Sequence, residues 1–301
     1  MSAARMLVFG SLNYDYVYQV DHIVRPGETI AGEDVRTHCG GKGLNQAVAL
    51  ARAGADVSLA GAVGEDGEGL LAVCRAAGVD TSHVRRLDGR SGHTVIQVDS
   101  VGENCIILYG GANRRQTMEH VEQVLGAFGP GDYLVLQNEV NLLPEIVAAG
   151  ADRGMRVVLN PSPFDERVLA CDLARVGLFL VNEVEGRGLT CEAEPETILA
   201  RMAERFPSAD VVLTLGADGA RARVAGVEIE QPAMPAKVVD TTGAGDTFTG
   251  YFLAELARSG EAAAAMRMAA QASAIAVSRP GAVPSIPELS EVRAALGGVG
   301  A

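Results

Sequence analysis

YLVLQ at Tyr133–Gln137, RVVLN at Arg156–Asn160, LFLVN at Leu178–Asn182 and VVLTLG at 211–216 decide the fold. Each is a continuous apolar run, the length of a strand and too short for a helix. Between them, segments 144–153 and 195–206 carry helical spacing, and each opens on a proline, which suits a first helical turn. Strands that are apolar on successive residues are buried on both faces, and strands joined by helices run parallel. Working outward, MLVFG at 6–10 and residues 57–63 read as further strands, and 45–53 and 69–77 as helices closed by Gly54 and Gly78. The expectation is an α/β fold with a central, mainly parallel sheet flanked by helices, built as one domain over 1–301. Two segments break the rhythm. Residues 14–38, with a Pro26–Gly27 turn, and 91–109, turning at Gly102-Glu103-Asn104, read as antiparallel β-structure inserted into that body. Paired, they would form a small β-sheet lid over the active-site edge. The alanine-rich segment 261–276 reads as a helix, and 297–301 as a frayed end.

Composition narrows the function. With 301 residues, 48% hydrophobic and 21% charged, the chain can bury a substantial core without staples. A formal charge of −13 repels phosphate backbones and argues against a nucleic-acid partner. The five cysteines (Cys39, Cys74, Cys105, Cys171 and Cys191) include no CxxC pair. That suits a reducing, cytoplasmic setting rather than a disulfide framework or zinc site. The first ten residues lack a signal-peptide pattern, and no apolar run is long enough to span a bilayer.

The strongest chemical signal is Val239-Asp240-Thr241-Thr242-Gly243-Ala244-Gly245-Asp246-Thr247-Phe248. Apolar residues at Phe248, Phe252, Leu253 and Leu256 mark a helix beginning near Asp246. The glycines bare backbone amides at its N-terminus, an anion site able to hold the charge on a phosphoryl group in flight. Asp246 stands at the same point, placed to accept a hydroxyl proton. A bare GAGD is equally a glycine-rich turn with Asp as N-cap, and the flanking DTT shifts the balance towards a site. Cys39-Gly40-Gly41-Lys42-Gly43-Leu44-Asn45-Gln46-Ala47 is no Walker A loop, because no Ser or Thr follows Lys42. Its glycines still permit close approach to the backbone, and Asn45 opens a helix. Gly10-Ser11-Leu12-Asn13-Tyr14-Asp15 follows the first strand, where open α/β sheets bind ligands, so Asn13 and Asp15 are candidates for sugar hydroxyls. Thr214-Leu215-Gly216-Ala217-Asp218-Gly219 and Asn182-Glu183-Val184-Glu185 also sit at strand ends. Glu185 could act on a hydrated magnesium. Taken singly, each of these reads as well as an ordinary turn.

Together, and in this order along nearly the whole chain, the motifs resemble the ribokinase-like (PfkB) family of carbohydrate kinases. The resemblance is closer to ribokinases proper, on Arg25-Pro26-Gly27-Glu28-Thr29, Gly40-Gly41-Lys42-Gly43, Gly111-Ala112-Asn113, Gln137-Asn138-Glu139 and the stretch from Arg279-Pro280-Gly281 to Ser285-Ile286-Pro287. It implies Asp246 as base and the amides of Gly243, Ala244, Gly245 and Asp246 as anion hole. It implies sugar contacts from Asn13, Asp15, Gly41, Lys42, Asn45 and Glu139, and ATP contacts from Asn182, Thr214, Gly216, Gly219, Gly245 and, more weakly, Gln271. Glu185 would hold the Mg2+ shell through water. A K+ ion would take Asp240, Thr242, Ala276, Arg279, Gly281 and Ser285, several through backbone carbonyls. A homodimer through the lid is implied as well.

Glu139 in the pocket would repel a phosphorylated sugar, which favours an unphosphorylated one, D-ribose first. The chain departs from the family at Tyr14 and Tyr16, and at Ser91-Gly92-His93-Thr94 in the lid. Tyr14 could stack on a base, and His93 or Thr94 could reshape the pocket, so another pentose, a ketohexose or a nucleoside stays open. A nicotinamide enzyme is disfavoured: Gly243-Ala244-Gly245 opens like a dinucleotide fingerprint, but Phe248 occupies the third glycine position. A non-catalytic sugar sensor is disfavoured by the intact Asp246 and both glycines.

Overall fold

The computed structural model describes residues 4–298. Thirteen strands are formed: β1 (Arg5–Phe9), β2 (Asn13–Gln19), β3 (Asp34–Gly40), β4 (Asp56–Val63), β5 (Asp80–Arg86), β6 (Gly92–Val98), β7 (Asn104–Tyr109), β8 (Tyr133–Gln137), β9 (Arg156–Asn160), β10 (Leu178–Asn182), β11 (Asp210–Thr214), β12 (Ala220–Val224) and β13 (Val227–Gln231). Nine of them form one sheet in the order β13-β12-β11-β10-β9-β8-β1-β4-β5. Pairings from β11 to β5 are all parallel, and β12 and β13 add an antiparallel hairpin at one edge. The remaining four form a second sheet, β3-β2-β6-β7.

The continuous apolar runs are explained by two cores, one on each face of the large sheet. Met6, Val8, Val135, Val158, Leu180 and Val212 point to one core, and their neighbours Leu7, Phe9, Leu134, Leu159, Phe179 and Val211 to the other. Leu44, Val48, Tyr251 and Phe252, from helices Lys42–Arg52 and Ala244–Ser259, complete the first core. Val121, Ile146, Ile198 and Met202, from helices Met118–Leu125, Leu143–Asp152 and Pro195–Arg205, complete the second. Each fully buried side chain of this size contributes roughly 1.5–3 kcal/mol.

The inserted segments form antiparallel hairpins as expected, β2–β3 and β6–β7, and join into one sheet through a parallel β2–β6 pairing. One expectation is corrected. The end of the chain is helical through Leu289–Gly298, and of the segment expected to fray, 299–301 lies outside the described residues. All five cysteines are free, and among the described residues no helix is long and apolar enough to cross a membrane.

Helix Lys42–Arg52 lies directly on helix Ala244–Ser259, and Gly250 allows it. A Cβ there would come within 2.7 Å of Leu50 N and closer still to Ala49 Cβ. Gly250→Val should therefore force the helices apart and cost about 1–3 kcal/mol. A denaturant melt should show a lowered midpoint for it and none for Gly245→Ala, whose Cβ meets nothing within 4 Å. Equal midpoints would mean that this contact is not tightly packed.

Candidate active site

Along the chain, β1, β4 and β5 build the sheet in one direction and β8 to β11 in the other, so the order switches between β1 and β8. Open α/β sheets bind ligands outside the carboxyl ends of the strands at such a switch. Gly10–Asn13, Asn138–Glu139, Asn160, Asn182 and Thr214 all follow or end strands on that side.

Asp246 sits in the first turn of helix Ala244–Ser259 and is 7% exposed. A buried carboxylate needs donors, and two come from helix Lys42–Arg52. Asn45 Nδ2 donates to Oδ2 at 3.0 Å and Gln46 Nε2 to Oδ1 at 2.9 Å. Gln46 Nε2 also faces Asn160 Oδ1 at 3.2 Å, and its Oε1 accepts from Gln137 Nε2 at 2.7 Å. Gln46, Gln137 and Asn160 were not singled out from sequence. Their position at strand ends and inside the glycine motif was the available signal.

The helix N-terminus beside Asp246 is opened by Gly243 in the left-handed region, φ 74°. The Ala244 amide closes a turn onto Thr241 O at 3.2 Å, and Thr247 N bonds Gly243 O at 2.8 Å. The amides of Gly243, Gly245 and Asp246 have no hydrogen-bond acceptor among the described residues. Of the four amides expected to form an anion site, Ala244 N–H is engaged in the turn and the other three are bare. These amides border a cavity of about 240 Å³ lined by Lys42, Asn160, Asn182, Glu185, Thr214, Thr241, Gly243, Gly245, Asp246 and Thr249, among others. Burial pulls against the charge of Lys42, yet Asp246, Glu139 and Glu185 together hold its ammonium above the ordinary lysine range. A larger hollow lies at the far edge of the sheet between Glu196, Arg221 and Glu230. There Arg221 pairs with Glu196 and Glu230, and Glu228 lines the same hollow.

The glycines of the second motif serve the backbone first. Gly41 has φ 91°, and a Cβ on Gly43 would come within 2.5 Å of Ser11 N. The helix N-terminus therefore abuts the end of β1. Glu139 accepts from Lys42 N at 3.0 Å and from the Ser11 hydroxyl. Asn13 is buried, its Oδ1 accepting from Asn113 Nδ2 at 2.7 Å. Asp15 Oδ1 accepts from the Thr94 hydroxyl at 2.5 Å. Burial pushes the Asp15 carboxyl above the usual range, with the Thr94 bond opposing.

Strand alternation corrects the reading of the aromatic departures. Tyr14 is on the face of β2 opposite Asp15, and its hydroxyl donates to Asp66 O at 2.9 Å against helix Glu68–Ala76. It is not placed to stack on a ligand beside Asp15. His93 shares that opposite face, 5.7 Å from the Tyr16 ring and 4.9 Å from Tyr109. Thr94 is the departure that reaches the Asp15 side.

Glu185 caps its own helix. Its oxygens accept from Asn182 N at 2.9 Å and Asn182 Nδ2 at 3.1 Å, while its N–H bonds Asn182 Oδ1 at 3.0 Å. Asp240 accepts from Thr242 N at 2.9 Å, Thr242 Oγ1 at 2.6 Å and Gly281 N at 2.7 Å. Burial raises its pKa, but these bonds outweigh it and hold the carboxyl below the usual range. Ala276 O accepts from Arg279 N at 3.0 Å, and the buried Ser285 donates to Ala282 O at 2.6 Å. Ala282 in turn packs against Gly243, which ties this turn to the helix N-terminus. Gly216 borders open space, whereas a Cβ on Gly219 would run into Gln231 and Pro232. Gln271 is buried in helix Ala262–Val277 and is not among the residues lining the cavity.

A mainly parallel α/β sheet with a held carboxylate and bare helix-terminal amides at its carboxyl edge is an arrangement suited to phosphoryl transfer. The pfkB family carbohydrate kinase model matches residues 3–289, and the chain belongs to that family, as an ATP-dependent carbohydrate kinase. It is 34% identical over 296 residues to a ribokinase of Haemophilus influenzae, covering 95% of this chain and 96% of that protein. The ribokinase of Cryptococcus neoformans var. grubii in complex with ADP superposes with TM-score 0.87 at 33% identity, covering 98% of this chain and 100% of that one. Arabidopsis thaliana ribokinase complexed with ribose and ATP gives TM-score 0.85 at 30% identity, covering 98% and 99%.

Asp15 yields a pH-dependent stability test. Its folded pKa lies above the unfolded value near 3.8, so its ionised form costs stability. That cost is fully present above the folded pKa and disappears as pH falls below the unfolded one. Asp15→Asn should therefore raise the melting temperature at pH 7 to 8, with the gain vanishing near pH 3. A lowered melting temperature at neutral pH would show that the Thr94 bond outweighs burial.

Proposed function

We propose that the protein transfers the γ-phosphoryl group of ATP to the hydroxymethyl group of D-ribose, giving ribose 5-phosphate, with Asp246 as general base. The observation that carries this reading is the convergence of the fixed Asp246 carboxylate, the free amides of Gly243, Gly245 and Asp246, and the cavity beside them. Asp246 takes the hydroxyl proton as attack begins, and the amides hold the negative charge on the transferring oxygens. Lys42, kept cationic by its carboxylate neighbours, faces the same cavity and offsets phosphate charge. Asn182, Thr214 and Gly216 border the nucleotide side, with weaker parts for Gly219 and Gln271. Asn13, Asp15, Gly41, Asn45 and Glu139 border the sugar side. The β3-β2-β6-β7 sheet closes over it as a lid and excludes water.

Glu139 supports an unphosphorylated substrate. A second phosphate there would meet a carboxylate already holding the first turn of helix Lys42–Arg52. Glu185 suits an indirect role towards magnesium: both its oxygens already accept hydrogen bonds, so water would stand between it and the ion. Magnesium bound with ATP supplies charge neutralisation for the phosphates. Asp240, held anionic, and the carbonyl-rich turn through Ala276, Arg279, Gly281 and Ser285, with Thr242, offer hard oxygen donors suited to K+. Since Ala282 of that turn touches Gly243, an ion there would firm the anion site. Ile106, Ile107, Leu108 and Tyr109 on β7 are all exposed, which supports a homodimer through the lid sheet. A cytoplasmic setting accords with the free thiols.

Two experiments test this. Asp246→Asn should fold normally and lower turnover ~10²-fold or more; near-normal turnover in the pure variant would remove Asp246 from the role. An ADP-release screen of pentoses, ketohexoses, their phosphates and nucleosides, with and without K+, should give ribose the highest kcat/KM and leave ribose 5-phosphate unused. A preference for a phosphosugar or nucleoside would overturn the substrate assignment.

A further inference from the structure

We infer that Gln46 is a positioning residue for the transfer step, and that its amide is polarised in one direction by Gln137 and Asn160 so that it always presents N–H to Asp246. This rests on the reading of Asp246 as base.

The argument begins with the two orientations open to a buried amide. Gln46 is 0% exposed, so water cannot repair a wrong choice. Gln137 Nε2 donates to Gln46 Oε1 at 2.7 Å, which places the Gln46 oxygen on the Gln137 side. On the other side Asn160 presents Oδ1 at 3.2 Å from Gln46 Nε2, and Asn160 is itself set by donating Nδ2 to Leu180 O at 2.9 Å. A flipped Gln46 would aim its oxygen at Asn160 Oδ1 and Asp246 Oδ1, and its nitrogen at the Gln137 donor. All three contacts would become like against like. The observed orientation therefore pairs all three Gln46 contacts, and the acceptors Asp246 Oδ1 and Asn160 Oδ1 fix it, since Gln137 Oε1 has no partner of its own.

The consequence falls on Asp246. Gln46 holds Oδ1 at 2.9 Å while Asn45 holds Oδ2 at 3.0 Å, so the carboxylate plane cannot turn. Asn45 borders the sugar, whereas Gln46 is spent on Asp246, Gln137 and Asn160. Gln46 therefore acts on the cavity through Asp246 and, by the longer bond at 3.2 Å, through Asn160, which also lines it. Losing it frees the carboxylate to rotate and misaligns its lone pair with the incoming hydroxyl, the kind of small displacement that costs up to ~10²-fold in rate.

The test is steady-state kinetics on the full-length enzyme with ATP and ribose, or the best acceptor from the screen above. Gln46→Met should lower kcat roughly 10- to 100-fold, with KM for ATP and for the sugar within about threefold of wild type. Gln137→Leu, which leaves both direct contacts to Asp246 in place, should give a smaller loss of the same kind. The double variant should be no slower than Gln46→Met alone, because both act on one chain of hydrogen bonds. A purely structural Gln46 would instead lower the melting temperature and the fraction of active enzyme, with kcat per active site unchanged, and that result overturns the inference. So does a multiplicative loss in the double variant. If Gln46→Met does not fold, unchanged kcat in Gln137→Leu overturns it alone. Asp246→Asn run alongside separates the two failures: an active Asp246→Asn sinks the base assignment, whereas an inactive Asp246→Asn with wild-type Gln46→Met sinks only the positioning role.

Discussion

The structure turns on hydrogen bonds between residues 200 and 201 positions apart: Gln46 and Asn45 on one helix, Asp246 at the start of another. A buried carboxylate without donors would either take up a proton or leave the interior. Here the donors come from a helix pressed so closely against its neighbour that Gly250 has no room for a side chain. That packing holds the candidate site together. It brings the carboxylate, the bare amides of the helix start and the lysine of the glycine motif to one cavity.

The sheet sets the distances. Because β1 and β8 flank the reversal of strand order, the segments after them, Ser11–Asn13 and Asn138–Glu139, open side by side. Glu139 then bridges them by accepting from Ser11 and from Lys42 N. The glycines at Gly10, Gly41 and Gly43 are needed because two backbone segments and the Gln137 side chain meet there with no space for Cβ atoms. What looks in the sequence like a loop for ligand approach is first a loop for backbone approach. The second sheet adds Asp15 and Thr94 from one face and turns its tyrosines to the other.

Much of this was legible in the sequence, for identifiable reasons. Strands β8 to β11 are buried on both faces, so their apolar runs stand out; β5, DTSHVRR, and the β12–β13 hairpin lie at the edges, are half solvated and gave no such run. Asp246 was readable because glycines and a helix pattern flank it. Gln46, Gln137 and Asn160 were not, since an amide among core residues carries no mark of the partner it will meet across the fold. Tyr14 and His93 stand out in the sequence only as departures from the family's pattern, open to a part in the pocket. Side chains adjacent in a strand point to opposite faces, and both belong to the far side.

The central claim is that one carboxylate and the amides beside it address the same transferring group. A crystal structure with ADP, ribose, magnesium and a metallofluoride mimic of the phosphoryl group in flight tests it most directly. The account expects the ribose hydroxymethyl oxygen within hydrogen-bonding distance of an Asp246 carboxylate oxygen, and the fluorides on the amides of Gly243, Gly245 or Asp246. A mimic bound away from those amides, or a hydroxymethyl oxygen facing another side chain, would contradict it.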